Sequence, residues 1–229
     1  MPKIAIMGAM SEEVEPIVAK LDNLNILEYA ANKYYEGSYN GQEIVVAYSK
    51  IGKVFATLTA TILIEKFNCD TLLFSGVAGA ISDDLKVGDL IIADGLCQHD
   101  LDITAFGHPY GYVPEGQVCI PADVKLRQVA KKIAKEKDLI LKEGVIATGD
   151  QFVANSKRKD WIGDTFKADA LEMEGAAVAV VCSSLAVPFF ILRAISDAAD
   201  MDASFSFDEF LESSAKISAD FILAMVDEI

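Results

Sequence analysis

The stretch LEMEGAAVAVVCSSLAVPFFILRAISD, residues 171–197, decides the reading of the fold. Its middle, 176–185, is small and apolar, which suits a helix pressed closely against a sheet. FFILRAI at 189–195 is a nearly continuous apolar run, the pattern of a strand covered on both faces. Carboxylates stand at the borders: Glu172 and Glu174 before the helix, Asp197 after the strand. An unpaired buried charge is costly, so acids beside this much apolar sequence either lie at an exposed strand end or are held in a cleft that uses them.

Outward from this unit the same alternation continues. Residues 3–7 read as a first strand, and Gly8-Ala9-Met10 turns it into a helix from Ser11, with Glu12, Glu13 and Glu15 in its opening turns. Segments 34–39 and 42–48 flank Asn40-Gly41, the strongest two-residue hairpin signal. A helical pattern follows Ile51-Gly52-Lys53 to about 67. Strands are expected at 71–75, 87–93 and 143–148, and an amphipathic helix at 124–137 with lysines on its solvated face. Ser206-Phe207-Asp208-Glu209 has capping-box spacing and should open the terminal helix. The fold class expected is α/β: a single domain, 1–229, with a mixed, mostly parallel central β-sheet flanked by helices on both faces. In such folds ligands bind beyond the carboxyl ends of strands. Segments 8–13, 76–79, 149–153, 172–174 and 196–197 all follow strand candidates and could share one cleft.

Composition narrows the partners. At 229 residues and 52% hydrophobic content the chain can bury a large core, and a net charge of −15 repels phosphate backbones and anionic lipid. Neither nucleic acid nor a membrane is expected as a partner. No signal peptide is expected, since no basic region leads a longer apolar stretch near Met1. Cys69, Cys97, Cys119 and Cys182 are scattered without a C-x-x-C pair, which fits reduced thiols in a cytoplasmic protein. His99 and His108 are the only histidines, and His99 with Asp100 and Asp102 lacks the ligand clustering of a closed metal site. No metal and no cofactor are expected.

Several segments admit two readings. The acids of the first helix complement its dipole whether or not one of them reacts. Gly76-Val77-Ala78-Gly79 lets a ligand approach the backbone closely, yet a plain tight turn explains it equally well; it matches neither phosphate-binding glycine fingerprint. Phe152, just after a strand, could stack on a planar base or fill the core. Arg193 is one of three arginines, with Arg127 and Arg158, and sits inside an apolar strand, where burial demands a carboxylate or polar ligand. Glu174 could serve, and the two could face a diol. A purely structural pair of Arg193 with a glutamate is an equal alternative.

IAIMGAMSEEV, SKIGKV, GVAG, LKVGD, DITAFG, GDQF, LEMEGAAVA, VPFFILRAISDAAD and SFDEFL occur in this order over nearly the whole chain. Together they resemble the 5'-methylthioadenosine/S-adenosylhomocysteine nucleosidases of the purine nucleoside phosphorylase superfamily. SGVAGA, KEGVIATGDQF and AFGHP look especially like the branch that also hydrolyses 6-amino-6-deoxyfutalosine. The resemblance implies a nucleoside phosphorylase-like fold and hydrolysis of the N9–C1' bond of a small-molecule adenine nucleoside. It implies Asp197 as the acid that protonates N7 of the leaving purine, oriented by Ser196, and Glu13 as the carboxylate that activates water. Glu174 should bind the ribose hydroxyls with Arg193 and Met173, supported by Glu172. Phe152 should stack on adenine, Val153 read its edge, Met10, Ile51, Val77 and Phe207 form apolar walls, and Ala78 and Gly79 offer close backbone. Ile103, Phe106, His108 and Pro114 match positions that reach into a neighbouring subunit's 5' pocket, implying a homodimer. Val77 and His108 depart from many relatives and border the region beyond the ribose. Two rival readings fit the same sequence: a phosphate-dependent phosphorylase and a non-catalytic nucleoside-binding protein on the same fold.

Overall fold

Strand β1 (Lys3–Gly8) is buried from Ile4 onward, and its two faces feed two different cores. Ile4 and Ile6 join Ile44, Val46, Leu73 and Phe190 against Val14, Ile17 and Phe221. Ala5 and Met7 join Val45, Ala47, Leu72 and Phe74 against Ala60, Leu63 and Val178. This is the strand alternation of period two applied to a sheet buried on both sides. The computed structural model describes residues 2–199 and 203–229, without the side chains of 203–206, 208 and 209.

Helix α1 (Ser11–Val18) follows β1, and then β2 (Asp22–Tyr29), β3 (Asn32–Tyr39) and β4 (Gln42–Tyr48) form an antiparallel meander. Asn40 and Gly41 both have positive φ, 49° and 85°, the signature of the hairpin turn expected there. The remaining elements are α2 (Lys53–Glu65), β5 (Thr71–Phe74), β6 (Val77–Ala80), β7 (Leu90–Gln98), β8 (Cys119–Pro121), α3 (Val124–Glu136), β9 (Leu141–Thr148), α4 (Ser156–Phe166), β10 (Ala168–Glu172), α5 (Gly175–Ser184), β11 (Phe189–Asp197) and α6 (Ala203–Val226). Helix α6 begins three residues before the Ser206 start expected for it; the side chains of that Ser-x-x-Glu pair lie outside the described residues. Among the described residues no helix is long and apolar enough to cross a bilayer.

The sheet is mixed, in the order β2-β3-β4-β1-β5-β11-β6-β10-β9-β7-β8. The flanked sheet expected is only part of the architecture. Strand β7 also pairs antiparallel with β11, Leu192 facing Ile92, which closes β11, β6, β10, β9 and β7 into a five-stranded barrel. The cause lies in irregularities that the amino-acid pattern does not advertise. Register shifts interrupt β7 between Ala93 and Gly95, β10 between Ala168 and Ala170, and β11 between Ile195 and Asp197. Such bulges bend a strand and increase its twist. Helices on both faces therefore describe the open half of the sheet only.

Val77, Ala78 and Gly79 belong to strand β6, with only Gly76 outside it, so the segment is not the tight turn that its composition allows. Phe190 pairs with Leu73 and Ala194 with Val77, one continuous register, so β5 and β6 line the same edge of β11 with a break at Ser75-Gly76. Strand β6 then lies between β11 and β10, with Gly79 opposite both Asp197 and Leu171. That register brings the end of β11 beside the end of β10.

Candidate active site

Glu13 is 2% exposed. At the third position of α1 it reaches back to the amide of Met10, 3.1 Å from Oε2, as the glutamate of a capping box does. It does more than cap. Oε2 also accepts from Ala9 N at 2.6 Å, and Oε1 from Val77 N at 3.1 Å across in β6. Burial nevertheless raises its pKa, against the lowering effects of Arg193 and the three amides. A Cβ at Gly76 would stand 3.0 Å from Oε1, so the break between β5 and β6 is shaped around this carboxylate.

Glu172 and Glu174 have different environments. Glu172 accepts from Arg193 Nη2 at 2.7 Å, from Gly175 N at 2.7 Å, from Glu174 N at 3.1 Å and from Thr148 Oγ1. Arg193 is 1% exposed, donates from Nη1 to the carbonyls of Leu192 and Phe74, and lies 4.1 Å from the Phe74 ring centroid. The arginine's carboxylate partner is thus Glu172, where the sequence left open either Glu174 or a structural pair with another glutamate. Two carboxylates two residues apart are equivalent in the sequence, and only the turn into α5 decides which one points at β11. Glu174 instead accepts from Gly52 N at 2.7 Å. Burial, with the nearby Glu172 charge, pushes its carboxyl up to about 8.

Asp197 closes β11, 3% exposed. Its Oδ2 accepts from Ser196 Oγ at 3.0 Å and its Oδ1 from Ala199 N at 2.8 Å. A Cβ on Gly79 would meet Oδ1 at 2.8 Å, so the carboxylate occupies space that only glycine leaves.

These groups surround one cavity of about 560 Å3 including its open mouth. Its walls include Glu13, Glu172, Met173, Glu174 and Asp197, with Met10, Ile51, Val77, Ala78, Gly79, Phe152, Val153 and Phe207 completing the set expected from the sequence. Phe152, 49% exposed at the mouth, stands edge-on to Phe207 at 5.7 Å. Arg193 and Ser196 are not in the lining but donate hydrogen bonds to Glu172 and Asp197, which are. Ala9, Gln151 and Leu171 also line the cavity, and Gly52 and Thr148 hold its acids; all five lie within the motifs quoted above, yet the sequence alone gives none of them a role. Among the described lining residues there is no lysine, arginine or histidine. The cavity is a carboxylate-lined, otherwise apolar chamber, suited to an uncharged polyol-bearing ligand and hostile to a free phosphate.

Ile103, Phe106, His108 and Pro114 do not border this cavity. They lie on the arm between β7 and β8, where Phe106 is 81% exposed and His108 stacks on Tyr112 at 4.4 Å.

Residues 3–227 match the family model described as the Phosphorylase superfamily. The chain is 53% identical, over the full length of both, to an aminodeoxyfutalosine nucleosidase of Campylobacter jejuni. It is 40% identical, over 99% of each, to a 5'-methylthioadenosine/S-adenosylhomocysteine nucleosidase of Actinobacillus succinogenes. The solved nucleosidase of that second type from Helicobacter pylori, in complex with butyl-thio-DADMe-Immucillin-A, superposes with a TM-score of 0.98 at 51% identity, covering 100% of this chain and 99% of that one. With its barrel, its carboxylate-lined cavity and full-length similarity of this degree, the chain belongs to the phosphorylase superfamily, in the branch of the methylthioadenosine/adenosylhomocysteine and aminodeoxyfutalosine nucleosidases.

Proposed function

We propose that the chain hydrolyses the N9–C1' bond of 5'-substituted adenine nucleosides, releasing adenine and the 5-substituted ribose. The substrate class comprises 6-amino-6-deoxyfutalosine, 5'-methylthioadenosine, S-adenosylhomocysteine and 5'-deoxyadenosine. The observation that carries the reading is the set of buried carboxylates around one cavity whose described lining has no cationic side chain. A phosphorylase needs positive charge where its anionic nucleophile sits; water does not.

The bond breaks toward an oxocarbenium-like sugar and a poor purine leaving group, so N7 must gain a proton as N9 departs. Asp197 is assigned that proton donation, with Ser196 and the Ala199 amide fixing its orientation. Glu13 is assigned the opposite sugar face, where it takes a proton from the attacking water as oxygen bonds to C1'. Burial, which raises its affinity for a proton, supports that role. Glu174 binds the ribose hydroxyls beside Met173, Phe152 covers the adenine face, and backbone groups of Val153 meet the adenine edge. Glu172 and Arg193 position this turn.

The assembly proposed is a homodimer in the cytoplasm. Val54, Phe55 and Leu58 are exposed on α2, and Phe106 on the arm. These are apolar groups that a second copy would cover while Ile103, Phe106, His108 and Pro114 close the partner's 5' pocket. Adenine release from the four substrates, followed with and without phosphate, tests the function. Equal rates in both conditions support the hydrolase, and absence of activity without phosphate overturns it. Stoichiometric binding with no adenine release over hours would instead identify a nucleoside-binding protein.

A further inference from the structure

All four cysteines are free thiols: Cys69, Cys97 and Cys182 buried, Cys119 half-buried. Two of them face each other across an antiparallel pair of strands, Cys97 in β7 opposite Cys119 in β8. The neighbouring backbone hydrogen bonds fix what kind of pair this is. Pro121, opposite Gly95, has no N–H to exchange, and Ala122 N donates to Asp94 O at 3.1 Å at the next step of the ladder. Hydrogen-bonded and non-hydrogen-bonded pairs alternate along such a ladder, so 94/122 and 96/120 are of the first kind and 95/121 and 97/119 of the second. Residues in a non-hydrogen-bonded pair have Cα atoms about 4.5 Å apart with side chains close together. A disulfide spans Cα separations of about 4.4–6.8 Å. The two side chains belong to one apolar cluster with Ile162 and Phe166 of α4.

We propose that Cys97 and Cys119 are an oxidative modification site, closed by a hydroperoxide into an intrachain disulfide that staples the base of the arm carrying Ile103, Phe106, His108 and Pro114. The proposal stands on the β7–β8 register and is independent of the nucleosidase reading. Cys119 is the more open of the two, so peroxide reaches it first and it is the nucleophile; the Cys97 thiol facing it also draws the Cys119 thiol below the usual range. Its thiolate attacks one peroxide oxygen, the O–O bond breaks, and a sulfenic acid and one water result. The Cys97 sulfur then bonds to the Cys119 sulfur and the sulfenic oxygen leaves as a second water. Two thiols and one hydrogen peroxide give one disulfide and two waters; the sulfurs lose two electrons and the peroxide gains them. Burial pushes the Cys69 and Cys182 thiols up to about 12, and neither stands opposite a second cysteine as Cys97 and Cys119 do, so neither has a partner to close a disulfide.

The full chain, freed of reductant and treated with a small excess of hydrogen peroxide, is alkylated after denaturation and mapped by mass spectrometry. The expected result is loss of two of the four thiols, a linked pair of peptides containing Cys97 and Cys119, and a Tm raised by roughly 5 °C or more, all reversed by reductant. Cys119→Ser and Cys97→Ala are expected to give no intrachain link and no Tm rise under the same treatment. Four alkylatable thiols after treatment, Cys119 recovered as a sulfinic acid, or a disulfide joining two chains would overturn the proposal.

Discussion

Arg193 donates from Nη2 to Glu172 Oε2 at 2.7 Å, with both side chains almost fully removed from solvent. The guanidinium sits where the sheet passes from β5 to β6: its Nη1 reaches the Phe74 carbonyl, and a Cβ on Gly76 would lie 3.2 Å from that nitrogen. Removing one partner of a buried pair strands the other, at a cost of about 3–5 kcal/mol. Arg193→Met is therefore expected to lower unfolding free energy by about that amount in a denaturant titration. If the arginine gripped the ribose directly, stability would hold and the loss would appear in KM.

Gly79 offers a way to move Asp197 without deleting it. An added methyl would stand 2.8 Å from Asp197 Oδ1 and 3.1 Å from Ala199 Cβ. Gly79→Ala should displace the carboxylate from N7 and reduce kcat on the order of 10²-fold while the fold persists, because small misplacements of a reacting group are costly. Unchanged turnover in a folded Gly79→Ala protein would argue against the acid role.

Deleting the proposed proton donor itself is a stronger test. Asp197→Asn keeps the shape and most hydrogen bonds but has no acidic proton to give, so kcat should fall by about 10²- to 10⁴-fold with inhibitor affinity still measurable. Glu13→Gln should be comparably impaired, because the amide cannot accept the water's proton. Steady-state adenine release and calorimetric inhibitor binding together check both.

The parts of the fold that were legible share one property: their cause is local. Asn40-Gly41 dictates a hairpin through its own dihedrals, and the amphipathic 124–137 run becomes α3 because each apolar side chain recurs at the helical period. Barrel closure has no local signature, since it depends on β7 meeting β11 a hundred residues away and on bulges that cost no particular residue type. Strand β2, mostly exposed at the sheet edge, has no inward-facing apolar stripe to reveal it. Helix α4 is hidden for a similar reason, with only Ile162 and Phe166 buried. The carboxylates Glu13, Glu174 and Asp197 stood out because each borders an apolar element. The groups that hold them, such as the Gly52 and Val77 amides, are backbone, and backbone chemistry is the same at every position of a sequence.

Glu174 makes a prediction about pH. Burial lifts its carboxyl from the ordinary 4.5 to about 8, so between these values the folded chain holds a proton that the unfolded chain has released. The stability contributed is fully present below about pH 4.5 and is lost as pH rises through 8. Wild-type Tm should therefore fall between pH 5 and 8.5 more than that of Glu174→Gln, by roughly 5 °C. Scanning calorimetry of both ligand-free proteins across that range checks it, and parallel curves would mean the carboxyl is already ionised at neutral pH.

The ribose contact proposed for the same residue separates recognition of the sugar from the chemistry at its anomeric carbon. Glu174 has one oxygen fixed by the Gly52 amide and belongs to the cavity wall, whereas Arg193 does not. A 2'-deoxy substrate leaves this buried carboxyl short of a partner, a penalty of about 1–3 kcal/mol, or roughly 5- to 150-fold in kcat/KM. Wild-type enzyme should favour 5'-methylthioadenosine over its 2'-deoxy analogue by that factor. In Glu174→Ala the acceptor is gone for both substrates, so the preference should shrink toward unity while absolute rates fall. A preference that persists in Glu174→Ala would move the diol contact to another group, with Met173 and the backbone of β6 among the remaining walls.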